Sequence, residues 1–296
     1  MTTITKKKSV EKEMDEESYL HTVWRRFCYH KPGLISLWIV LALVIIAVFA
    51  PLIAPYDPNA INPEFAASPS LQHLLGTDTI GRDMFSRLLY GLRVSLFVGA
   101  LATLLSTALG TVLGLIAGYF GGIADMIIMR ITDMVMSFPY ILLILVASVI
   151  FSPGMWNIIL ILGFVDWPGV ARLVRGSVME IRDADYVQAA RIEGMPGHYI
   201  LFSEILPNTM APILVFATSV MAISILDEAA LSFLGMGVQP PQASLGNLLN
   251  GAESISVLTG MPWLWVSPGV LIIILVICTN FIGDALRDAV DPSTTR

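Results

Sequence analysis

Long uncharged runs separated by short polar stretches dominate the chain from Pro32 onward. A helix needs about 20 apolar residues to cross a hydrocarbon core of about 30 Å. The runs predict six spans, at 33–54, 95–120, 126–151, 156–174, 209–234 and 263–283. The third and fourth share one uncharged stretch, Met134–Val165, which Ser152-Pro153-Gly154 divides with a turn signal. The first half reaches spanning length only by starting near Met126. That draws Arg130 and Asp133 into its inner end, three apart on one helix face and able to neutralise each other. Gly99, Gly110, Gly114 and Gly118 recur at near-helical spacing and predict close packing of the second span against another helix. The expected fold is an all-α polytopic membrane protein of six transmembrane helices.

Composition supports this reading. Of 296 residues, 55% are hydrophobic and 14% charged, with a mean hydropathy of +0.75. Soluble domains carry about 25% charged residues. A soluble core could not cover so much apolar surface, so the lipid bilayer is the solvent for most of it. With the N-terminus inside, fourteen of the 17 Lys and Arg residues fall in inner segments; only Arg82, Arg87 and Arg93 lie outside. The positive-inside rule then makes both termini cytoplasmic. Residues 1–31 form a cytoplasmic segment. Residues 1–17 read as a disordered tail, and Ser18–His30 as an amphipathic helix on the inner leaflet, with Trp24 and Phe27 dipping in. The charged lead is too long and mixed in sign, and the following run too long, for a cleaved signal peptide. Residues 32–296 form the membrane domain. The net charge of −6 suggests no nucleic-acid partner.

Candidate chemistry narrows the function by subtraction. The last lysine is Lys31, so the apolar domain cannot build a phosphate-binding loop, which needs a Lys. Cys28 and Cys278 share no metal spacing, and His21, His30, His73 and His198 form no ligand cluster. No catalytic constellation, metal site or cofactor site is expected.

The one long inner loop, 175–207, carries more information. Asp183 or Asp185 is placed to cap a helix running through Tyr186, Gln188, Ala189, Ala190 and Arg191. Gly194 supplies a left-handed end. After Pro196 a second short helix, 198–204, is expected, with the next span beginning at Leu206-Pro207-Asn208. The two would form a knuckle with a thin Ala189-Ala190 crown, fit for a groove on another protein. Spacing alone fits an amphipathic loop helix on the membrane surface equally well. Asp166 lies about halfway down the fourth span, where a carboxylate costs roughly 2.5–3.5 kcal/mol. It is expected either to line a water-filled translocation pathway, where a peptide's amino terminus would meet it, or to be protonated or paired at a subunit interface. Asp227 and Glu228 fall near the outer end of the fifth span and would edge an outer gate. Asp78, Arg82, Asp83 and Arg87 read as a structural clamp before the second span, and the lysine- and arginine-free loop from Pro240-Pro241 to Pro262 as an outer docking face.

Gln188-Ala189-Ala190, then Gly194, then Leu206-Pro207 resembles the "EAA … G … LP" loop of permease subunits in bacterial ABC importers. His73–Asp78 with Gly81-Arg82-Asp83 and Ser86-Arg87, Trp167–Gly176, Leu231–Gly237 with Gln239-Pro240-Pro241, and Phe281–Asp284 with Leu286-Arg287-Asp288 and Asp291-Pro292 are similar to the C-type permeases of dipeptide and oligopeptide transporters. Gln188 stands where that family usually has Glu, removing a charge at the knuckle; Leu245 stands where Trp is common. The resemblance implies the type I importer permease fold in a bacterial cytoplasmic membrane. It also implies a heterodimer with a second permease subunit, two cytoplasmic ATPase subunits that bind ATP and Mg, and an extracytoplasmic binding protein that delivers peptides. Metal chelates or opines are alternative cargoes. An ion-coupled secondary transporter is the rival class, but no internal repeat is visible.

Overall fold

The computed structural model describes residues 19–251 and 254–290; the tail expected at residues 1–17 and the Asp291-Pro292 pair lie outside them. The chain opens with α1 (Tyr19–Tyr29), α2 (Lys31–Val48) and the single turn α3 (Ala50–Ile53). A long connection leads to α4 (Met84–Phe120), α5 (Gly122–Ser137), α6 (Tyr140–Phe151) and α7 (Met155–Ile181). α8 (Asp185–Ile192) and the short α9 (Gly197–Tyr199) pass through a π-helical turn, Ile200–Ile205, into α10 (Leu206–Phe233). Two short helices, α11 (Leu245–Asn250) and α12 (Ile255–Gly260), precede α13 (Trp263–Val290).

Among the described residues, five helices are long and apolar enough to cross a membrane: α2, α4, α7, the continuous Gly197–Phe233 helix and α13. The third expected span takes a different form. Instead of one helix over 126–151, α5 and α6 meet at a 90° bend. Pro139 is the cause. Its ring drives Phe138 out of the helical region, to φ −86 and ψ 144, and it offers no N–H to continue the ladder. Asp133 pairs with Arg172 of α7 at 2.8 Å rather than with Arg130.

Two more boundaries move for local reasons. The second span begins at Met84, well before residue 95, because Asp83 caps it by accepting the Ser86 amide at 2.7 Å. The second loop helix does not end at residue 204; it merges with the fifth span. Pro207 takes an early position in α10, the helix widens to a π turn before it, and the Asn208 side-chain amide donates to the Glu204 carbonyl at 2.6 Å.

The bundle is held by close approaches at glycine. A Cβ on Gly110, Gly114 or Gly118 would meet Val170, Val174 and Val178 of α7 respectively, and one on Gly99 would meet Ile225 of α10. These glycines bring α4 backbone against its neighbours, where dispersion contacts accumulate. α2 sits against α13 through Gly33 and Ala285. α1 departs from expectation: Trp24 is 56% exposed, but Phe27 is buried against Ala285 and Ala289 of α13. Half of its predicted membrane face is thus a strut onto the last span.

Candidate functional site

The loop after α7 folds as a compact cap on the bundle end. α8 starts after Ala184 without a side-chain cap; Asp185 lies in its first turn, and the Asp183 carbonyl accepts the Gln188 side-chain amide at 3.0 Å. Its end is closed by two bonds around Gly194, which has φ +79. Gly194 N–H donates to the Arg191 carbonyl and Met195 N–H to the Ala190 carbonyl, each at 3.1 Å, the pattern of a Schellman cap. Val187 and Ala190 point inward, joining Val178, Ile200, Leu201 and Ile205 in one core cluster. The expected Ala-Ala crown is therefore corrected: Ala189 is exposed, Ala190 is a packing residue. Asp185, Gln188, Ala189 and Ile192 form the outward stripe, with Ile192 87% exposed. Sequence reasoning missed Ile192, although its i+3 and i+4 spacing from Ala189 and Gln188 marks it.

Two side chains set the loop's pose. The Arg191 guanidinium lies 5.3 Å above the Tyr119 ring at the end of α4. Leu206 packs against the same core cluster, just before Pro207. Partial burial, and then the Glu204 carboxylate, push the Tyr186 hydroxyl above its ordinary range.

At the opposite end, Asp78, Arg82, Asp83 and Arg87 come together before and within the first turn of α4. Asp78 accepts the Arg82 side chain at 2.7 Å and the Ile80 and Arg82 amides at 3.0 and 2.8 Å. Arg87 donates to the Pro58 carbonyl at 3.1 Å. Asp83 is fully buried, capping α4 with one oxygen and meeting His73 Nδ1 at 2.8 Å with the other. His73, its ring tilted 35° against that of Tyr56 with centroids 4.9 Å apart, belongs to this knot and was not read as such from the sequence.

The three mid-bundle acids separate. Asp166 and Asp227 share one partner: the Tyr140 hydroxyl lies 2.8 Å from Asp166 Oδ1 and 2.5 Å from Asp227 Oδ2. The two acids are thus at one depth, not at mid-membrane and outer edge as expected. Tyr140 was missed, yet it and Asp166 are equally distant in sequence from Pro153, so a helical hairpin turning there sets them opposite each other. Glu228 faces elsewhere. It is fully buried, accepting Ser95 Oγ of α4 at 2.6 Å and Ser232 Oγ at 2.7 Å. Ser95 Oγ also accepts the Leu245 amide at 3.1 Å, and Ser232 Oγ the Val238 amide at 3.0 Å. Glu228 therefore ties α4, α10 and the 238–245 segment together, with Leu245 fully buried beside them.

A helical bundle with acids held inside and a structured loop across one end is the layout of an integral membrane transport component. The chain belongs to the family described as the binding-protein-dependent transport system inner membrane component, which it matches over residues 110–296. Residues 18–73 match the N-terminal transmembrane domain of oligopeptide transport permease C. The dipeptide transport system permease protein DppC of Alkalihalophilus pseudofirmus is 41% identical over 264 residues, 89% of this chain and 86% of that one. DppC of Haemophilus influenzae is 39% identical over 280 residues, 92% of this chain and 94% of the relative. The fold is that of type I ABC importer permeases: a chain of the MetNI methionine ABC transporter, in inward-facing form, superposes with a TM-score of 0.55 at 22% identity, covering 70% of this chain and 97% of that one. Family membership makes this an inner-membrane transport subunit, itself not the catalytic part, that works with an ATPase and a binding protein.

Proposed function

We propose that this chain is one of two different permease subunits in an ATP-driven importer of di- or oligopeptides. Two cytoplasmic ATPase subunits bind ATP and Mg, and an extracytoplasmic binding protein delivers the cargo. Both termini and the α8–α9 loop face the cytoplasm, as the arginine and lysine bias supports. The observation that carries the reading is the loop itself: a rigid Schellman-capped helix whose inner face is fixed to α4, α7 and the Gly197–Phe233 helix while Gln188, Ala189 and Ile192 stand free. Relatives of about 40% identity that are named for dipeptide transport supply the cargo class.

Coupling follows from the packing. When the ATPase dimer closes on ATP, the grooves that hold the loop shift. Val187 and Ala190 transmit that shift to the ends of α4, α7 and the Gly197–Phe233 helix, switching access across the membrane. Asp166 and Asp227 then line the pathway. Asp78, Arg82, Asp83 and Arg87, with His73, hold the outer end of α4 as a clamp. Cysteine cross-linking from Ala189→Cys to the ATPase, with peptide uptake followed in the assembled complex, tests the reading. A loop that cross-links to no ATPase residue in any nucleotide state defeats it.

A further inference from the structure

The hydrogen-bond count at Tyr140 does not close. Its hydroxyl oxygen reaches a carboxylate oxygen on each side, at 2.8 and 2.5 Å, but a phenol has a single proton to donate. One acid takes that proton, and the other is left to the hydroxyl of Ser224. Asp166 Oδ2 and Ser224 Oγ are both enclosed, with no hydrogen bond of good geometry to any other group. Ser224 is 0% exposed, stands one turn before Asp227 on α10 and faces Asp166. Two carboxylates thus share two hydroxyl protons, from Tyr140 and Ser224, and among the described residues no positive charge faces either. A primary ammonium fits that deficit: it brings three N–H donors and a positive charge, enough for both acids and the Ser224 oxygen.

Tyr140 also has a mechanical part. α6 buries only Ile144 and Ser148, which continue the line of Tyr140 at i+4 and i+8. At 12 residues α6 is about 18 Å long, too short to span, and it starts at the 90° bend. The Tyr140 bridge pins the bent end of this half-span to α7 and α10. The ionisable groups that meet there are Tyr140 from α6, Asp166 from α7 and Asp227 from α10, and the charge that faces Asp166 among the described residues is that of Asp227.

We propose that the Tyr140 hydroxyl is the resting occupant of an ammonium site, which the cargo's amino group enters by displacing it, so freeing α6 from α7 and α10. This rests on the peptide-importer reading. It adds the chemical group recognised inside the membrane and the element that senses its arrival.

The test uses the whole complex in proteoliposomes, comparing wild type, Tyr140→Phe, Asp166→Asn and Asp227→Asn for ATP hydrolysis and for uptake of a free-amino dipeptide. Tyr140→Phe keeps the ring but removes the latch. It should raise cargo-independent ATP hydrolysis about tenfold, the size of one hydrogen bond to a charged group. Each Asn variant should lower uptake by about tenfold or more while the complex assembles in normal yield. Cargo-independent hydrolysis at the wild-type rate in Tyr140→Phe overturns the latch, and undiminished uptake in both Asn variants overturns the ammonium site. A wild-type complex that imports no peptide would instead defeat the peptide reading; the hydrolysis measurement still decides the latch, because it needs no cargo.

Discussion

Replacing Gly194 separates backbone geometry from side-chain bulk at the loop. A Cβ built there meets nothing within 4 Å, so size alone costs nothing in this chain. The φ of +79 is what excludes other residues. An L-residue in the left-handed region costs about 1–2 kcal/mol, with Asn at the low end and a β-branched residue at or above the top. If the backbone relaxes to avoid this, it loses the Gly194 and Met195 amide bonds to Arg191 and Ala190, about 1 kcal/mol each. The less costly route gives about 1 kcal/mol for Ala, which stays in the left-handed region. For Val it gives about 2 kcal/mol, where losing both bonds costs no more, and that is more than tenfold in the population of the capped loop. Peptide uptake should therefore fall in the order Gly, Asn, Ala, Val, with hydrogen exchange over residues 185–200 rising in parallel while complex yield stays constant. If Asn were as damaging as Val, contact with a partner would be the cause. If Val transported at the wild-type rate, the capped loop would not be the coupling element.

Four further outcomes follow from the packing. Ala189→Glu adds charge and bulk to the exposed stripe and not to the core; it should uncouple ATP hydrolysis from uptake without lowering the melting temperature of the detergent-solubilised complex. Asp83→Ala removes the α4 cap and leaves His73 without its buried partner, a loss of about 2–4 kcal/mol to be read by denaturant unfolding. Gly114→Val would drive a side chain into the Ala171 carbonyl, whose oxygen lies 2.6 Å from the added Cβ, destabilising by about 1–3 kcal/mol. Gly176→Ala on α7, with open space around it, should be neutral or gain up to about 1 kcal/mol in the same thermal melt.

Charge-free runs located the membrane helices well, because burial in lipid imposes composition more strictly than shape. They could not show where a helix continues past charge. Arg87 and Arg93 interrupt the apolar pattern, yet α4 runs through them because Asp83 caps it and Asp78 and the Pro58 carbonyl receive Arg87. Conversely, Phe138-Pro139 lies inside an unbroken apolar run, and hydropathy hid a bend that the proline itself announces. The loop's glycine end was legible, since only left-handed geometry accounts for it. The direction of Ala190 was not, because alanine is neutral to burial and only the fold decides which of two neighbours turns inward. The mid-bundle acids were legible as unusual but not as a pair: that depended on Tyr140, whose polar atom is invisible in an apolar tally.

At 37 residues α4 is about 55 Å long, and its seam with α7 through Gly110, Gly114 and Gly118 leaves no slack for sliding. The two behave as one stiff beam. A tilt of only about 5° at the end beneath the loop would swing the far tip by about 5 Å. That is the order of the gap a small cargo needs, so the chain has no call for a hinge within α4: pivoting at its ends turns a slight nudge below into an opening above.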